Sequence, residues 1–153
     1  MSARSRARQV VLQLLYQDDL NPEIAPTAIT QFLRKELNRN ASLMEFALSL
    51  LDGVREHRAE LDQVLAGKAE NWSLERMAAV DRNILRLGAY EILYAGTPGQ
   101  VVINEAVELA KQFGAQQSAS FVNGILDRVM HQGRKEETKG TSQKIDQQSC
   151  HES

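Results

Sequence analysis

Three arginines, Arg4, Arg6 and Arg8, stand close to the amino terminus, and no carboxylate precedes Asp18 and Asp19. On a helix Arg4 and Arg8 share one face while Arg6 projects elsewhere. Guanidinium forks grip phosphate oxygens two at a time, so this residue type at this spacing, with no acid nearby in sequence, points to phosphate binding. A solvated amino terminus is the competing reading. A second polar set, Gln116, Gln117, Ser118, Ser120, Phe121 and Asn123, falls where a last helix begins. Helix starts expose unpaired amides that accept phosphate, and an outward Phe121 could stack on a base. Phe121 also fits an apolar stripe with Ile125, which makes core packing its alternative role.

Other chemistry finds little footing. His57, His131 and His151 are too far apart for a local zinc motif, and Gly96-Thr97-Pro98-Gly99 lacks the Lys-Ser or Lys-Thr of a phosphate loop. Glu105 and Glu108 have the spacing of a solvated helix face, and Asn104 can cap a turn without touching a ligand. The single cysteine, Cys150, permits neither an intramolecular disulfide nor a thiolate metal cluster. No catalytic centre, metal or cofactor is expected. At 42% apolar and 25% charged residues, the composition is that of a soluble globular domain rather than a disordered or membrane-embedded chain. No apolar run approaches the roughly 20 residues of a membrane span, and no secretory leader follows Met1, so a cytoplasmic protein with no membrane contact is expected. A formal net charge of -2 does not announce a nucleic-acid partner, so the local placement of cations carries the argument.

The elements that must hold these residues are helical. Ala7, Val10, Val11, Leu14 and Leu15 line one face of a helix from about Arg4 to Leu20, which Asn21-Pro22 stops. Pro26 suits the first turn of a second helix carrying Ile29, Phe32, Leu33 and Leu37, ending near Asn38 to Asn40. Ser42 and Glu45 read as a capping box opening one long helix, with the stripe Leu43, Phe46, Leu50, Val54, His57, Leu61 and Val64, to about Gly67. Ser73 can cap a short turn with Leu74 and Met77, before an apolar helix through Val80, Ile84 and Leu87 to about Ala95. After Thr97-Pro98-Gly99, a helix from Val102 carries Ile103, Ala106, Val107, Ala110 and Phe113, with Gly114 placed to close it in left-handed geometry. Ser118 can cap the last helix, bearing Phe121, Val122, Ile125, Leu126 and Val129. Tyr16, Tyr90 and Tyr94 read as core residues, although a tyrosine at a helix end often keeps a wet hydroxyl. No stretch alternates with the period of a strand. The result is an all-α bundle in one domain over 1–131, followed by a polar tail, 132–153, too poor in apolar residues to order.

Several segments together resemble the NusB family of transcription antitermination factors. They are Arg4-Ser5-Arg6-Ala7-Arg8 with Leu12-Gln13-Leu14-Leu15-Tyr16, then Ile84-Leu85-Arg86-Leu87-Gly88-Ala89-Tyr90-Glu91, and most specifically Val102-Ile103-Asn104-Glu105-Ala106-Val107-Glu108-Leu109-Ala110-Lys111-Gln112-Phe113-Gly114 leading to Phe121-Val122-Asn123-Gly124-Ile125-Leu126-Asp127. The likeness runs from about Arg4 to Val129. It implies about seven helices in two three-helix subdomains sharing one core, and binding without catalysis. The implied partners are boxA RNA of ribosomal RNA leaders, the small-subunit ribosomal protein NusE and the RNA polymerase antitermination complex, with the chain a monomer or homodimer. By position, the resemblance assigns Arg4, Arg6 and Arg8, then Gln117, Ser120 and Phe121, to RNA, and Tyr16 and Asp81 to the protein partner. Ser120 stands where family members can carry lysine, and Gln117 where some carry an acid. Three arginine contacts to single-stranded RNA imply a salt slope of roughly -2. Two other readings stand beside this one. A helical scaffold binding only proteins would leave the arginines solvated. An rRNA methyltransferase with a NusB-like domain would need a cofactor-binding fold that these residues do not encode.

Overall fold

The computed structural model describes residues 2–69 and 73–132. Residues 70–72 and the tail beyond Gln132, with Cys150 and His151, lie outside the described residues. Those residues form seven α-helices and no strand: α1 (Ala3–Leu20), α2 (Pro26–Glu36), α3 (Ala41–Glu56), α4 (Arg58–Lys68), α5 (Ala79–Leu93), α6 (Gly99–Phe113) and α7 (118–132). A single 3-10 turn, Leu74–Arg76, precedes α5. No helix among the described residues is long and apolar enough to cross a membrane.

Helices α1, α2 and α3 pack on one another; α5 packs against α4 and α6, and also against α1 and α3. The two groups therefore share one core, in which Val10, Val11, Leu33, Leu51, Leu85 and Leu126 are fully buried. α7 completes it: a methyl group added at Gly88 of α5 would lie 2.7 Å from Leu126, and one at Gly99 of α6 would collide with the Met130 sulfur. α1 is enclosed on more sides than its stripe predicts, since Arg8, Gln9 and Leu12 are buried along with the apolar face.

Local details depart from the sequence reading at four points. Asn40, not Ser42, caps α3, its side-chain oxygen accepting from the Leu43 amide at 3.1 Å. The long helix expected from Ser42 to Gly67 is two helices. At His57 the backbone leaves helical values, φ -101° and ψ 14°. The His57 ring lies 4.0 Å from that of Tyr94 on α5's C-terminal side, and its Nδ1 meets Glu60 one turn on, so contacts both distant and local accompany the break. The α4 core positions become Leu61 and Leu65 rather than Leu61 and Val64. Gly114 is extended, with φ -91° and ψ -176°; it is small because a Cβ there would come within 2.6 Å of the Ser118 side chain. Ser118 is buried and reaches backward, accepting the Ala115 amide at 2.9 Å, instead of capping the amides ahead of it.

Candidate nucleic-acid interface

Ser2 opens α1 by accepting the Ser5 amide, which sets the register of the arginines. Their environments differ sharply. Arg4 is exposed, its guanidinium 4.8 Å from the centre of the Phe46 ring on α3. Arg6 is 37% exposed and pairs with Glu36, the last residue of α2. Surface pairs of this kind are worth only about 0–1 kcal/mol, so a phosphate can displace Glu36 at little cost. Arg8 points inward. Its side chain is 5% exposed and that of Glu91 on α5 is 2%. Arg8 Nε donates to Glu91 Oε2 at 2.9 Å and Nη2 to Oε1 at 2.8 Å, a two-pronged pair.

Glu105 on α6 stands 3.7 Å from Arg8 Nη1 and accepts from Ser5 Oγ at 2.7 Å, while Thr97 Oγ1 donates to Glu91 at 3.3 Å. Burial works against the Arg8 charge, but the Glu91 hydrogen bonds and the charges of Glu91 and Glu105 outweigh it and raise its pKa further. The absence of competing acids expected from the sequence thus fails in space: Glu36, Glu91 and Glu105 all converge on this end of α1. Arg8 is committed to the core, and the guanidinium surface belongs to Arg4 and Arg6.

Gln117 and Ser120 are exposed at the start of α7. Phe121 is half-buried and packs against the core. Both candidate groups connect to α6, one by a hydrogen bond and the other along the chain. The arginine end is tied to Glu105, and Gln117 lies just past Phe113, where α6 ends. Eight residues at the helical rise separate Glu105 from Phe113, about 12 Å.

Tyr16 and Asp81 mark a different surface. Tyr16, 37% exposed, lines an open apolar groove of about 640 Å³ with Leu12, Ile29, Phe32, Val80 and Phe113. Asp81 follows Val80 in the first turn of α5, and its Oδ1 is buried without a hydrogen-bond partner. An unsatisfied buried acceptor costs about 1–3 kcal/mol. Behind it, α1 is locked to α3, α4 and α5 by Asp18 with Arg55 and by Asp19 with Arg58, Arg82, Arg86 and Asn83. Burial raises the Asp19 carboxyl, but hydrogen bonds from Asn83 and Arg82 and the charges of Arg86 and Arg82 prevail and hold it below the ordinary range.

Sequence reasoning missed Phe46, Glu36, Glu91 and Glu105 as parts of the arginine site. No local signal marks them, since Glu91 is 83 positions from Arg8. Tyr90 is half-buried in a stack with His57 and Tyr94. Tyr94 is 45% exposed and donates to Glu60 at 2.6 Å, a wet hydroxyl at a helix end.

Comparison with known proteins shows the family to which this chain belongs. The NusB family model matches residues 5–131. A transcription antitermination protein NusB of Anaeromyxobacter dehalogenans is 44% identical over 128 residues, covering 84% of this chain and 90% of its own. That of a Nitratiruptor species is 43% identical, covering 94% and 99%. Among solved structures, T. maritima NusB superposes with a TM-score of 0.75 at 36% identity over 84% of this chain and 90% of its own. A crystal structure of antitermination factors NusB and NusE in complex with dsRNA also scores 0.75, at 28% identity over 86% and 98%. With α5 and α6 inside the matched span, and α1 and α7 inside it but for their outermost residues, this chain belongs to the NusB family.

Proposed function

We propose that this protein is a transcription antitermination factor that binds boxA RNA of ribosomal RNA leader transcripts jointly with the small-subunit ribosomal protein NusE. The observation that carries the reading is the end of α1, where Arg4 is exposed and Arg6 is held only by a surface pair, on a base made rigid by the buried Arg8–Glu91 pair. Arg4 and Arg6 neutralise phosphates; Gln117 and Ser120 supply hydrogen bonds, and the half-buried Phe121 contributes its ring edge or face to base contact. Arg8, named with them from the sequence, acts from behind by fixing the helix. The groove beside Tyr16 receives NusE through apolar contacts, and Asp81, which follows the groove residue Val80 in the chain, belongs to the same partner-facing surface. The complex acts within the RNA polymerase antitermination assembly in the cytoplasm, by binding alone.

A filter-binding titration with boxA RNA and a scrambled control, with and without NusE, tests this. Preference for boxA that strengthens when NusE is added is expected. Equal binding of both RNAs would favour a scaffold that recognises only proteins.

A further inference from the structure

Beyond the arginines of α1, the same end of the molecule carries cations that the RNA site described above does not use. The α2–α3 turn reads Arg34-Lys35-Glu36-Leu37-Asn38-Arg39, three cations against one acid, Glu36, which pairs with Arg6 in the free protein. Among the described residues Arg34, Lys35 and Arg39 are exposed and form no ion pair, whereas Arg55, Arg58, Arg82 and Arg86 are all matched to aspartates. Two contacts bring this turn to the arginine end of α1: Arg6 to Glu36 on α2, and Arg4 over Phe46 on α3.

The turn is also held rigidly. The Arg39 amide donates to the Arg34 carbonyl at 2.8 Å and the Asn38 amide to the Lys35 carbonyl at 3.5 Å, a Schellman closure. Leu37 is buried beneath it and Asn40 caps the next helix. Asn38 and Arg39 both adopt left-handed backbone, φ 52° and 58°, which costs a non-glycine residue about 1–2 kcal/mol. Arg34 and Arg39 flank an open hollow of about 490 Å³ with Met44, Leu48 and the carboxylate of Glu45.

We propose that Arg34, Lys35 and Arg39 form a cationic extension of the RNA site, gripping the phosphates of nucleotides that run past the boxA segment. Phosphate contacts of this kind add affinity without reading sequence. The proposal rests on the RNA-binding reading and lengthens its footprint. The competing role is local, since cations in the last turn of α2 also favour its dipole.

The test compares a short boxA RNA with the same RNA extended by about half a dozen nucleotides at each end, titrated across salt. The wild type is expected to bind the extended RNA more tightly and with a steeper salt slope. In R34Q/K35Q/R39Q the slope on extended RNA should fall by about 2, to that of the short RNA, whose binding stays unchanged. R34K/R39K should retain the wild-type slope. A triple variant that loses thermal stability but keeps its slope on extended RNA overturns the proposal and leaves the α1 site standing. If the wild type binds neither RNA, with or without NusE, this proposal and the functional reading fall together.

Discussion

Replacing Glu91 by glutamine separates the two roles an arginine can play in this helix. The change keeps the shape of the side chain but leaves the Arg8 guanidinium, 5% exposed, facing a neutral amide. Breaking a buried pair from one side costs about 3–5 kcal/mol, because the remaining charge is stranded away from water. Glu105, 3.7 Å from Arg8, relieves part of that, so the lower end, about 3 kcal/mol, is expected. At roughly 3 °C per kcal/mol for a domain of this size, the midpoint of thermal unfolding should drop by about 9 °C. The double variant Arg8→Met with Glu91→Leu removes both charges and should return to within about 1 kcal/mol of the wild type. It should also keep the salt slope of RNA binding, since Arg8 faces the core. Circular-dichroism melts of both variants and a salt titration of the double variant provide the readings. An unchanged melt for Glu91→Gln, or a shallower slope for the double variant, would refute the assignment of Arg8 to the core.

Three further outcomes follow from the geometry. Asp19 has a depressed pKa, so its contribution is fully present above the unfolded carboxylate value of about 3.9 and is lost as pH falls through the lower folded value. Asp19→Asn should therefore cost about 3 kcal/mol near neutrality and flatten the acid limb of stability against pH, and an unaltered limb would contradict the network. A Cβ at Gly53 would overlap the Tyr90 ring, so Gly53→Ala should lose about 1–3 kcal/mol and weaken the near-ultraviolet signal of the tyrosines; a neutral change would mean the stack is loose. Tyr16→Ala at the groove should weaken NusE binding about tenfold by calorimetry while leaving the melt intact, and unchanged affinity would place the partner elsewhere.

Where helical periodicity was local and strong, as in Val10 to Leu15 and Ile103 to Ala110, the sequence was enough to place the helix and the centre of its buried face. Contacts between distant residues were not legible. The break at His57 coincides with its stacking on Tyr94, 37 positions on, and neither glycine nor proline marks it. Ser42 lost the cap to Asn40 because the preceding Schellman turn ends at Arg39, leaving Asn40 as the first extended residue, φ -75° and ψ 108°. Arg8 looked equivalent to Arg4 because its partner is distant in the chain; only folding reveals which of two arginines on one helical face meets a buried carboxylate. The α7 start was legible as a polar cluster, but the half-burial of Phe121 depends on how α7 seats against the core.

The salt dependence of boxA RNA binding, compared between the wild type and Arg4→Ala/Arg6→Ala, bears most directly on the function. Two exposed guanidinium groups predict that the slope falls by about 1.4 in the double variant, with affinity lost to match. Full affinity and an undiminished slope would contradict the placement of the RNA site at this end of α1.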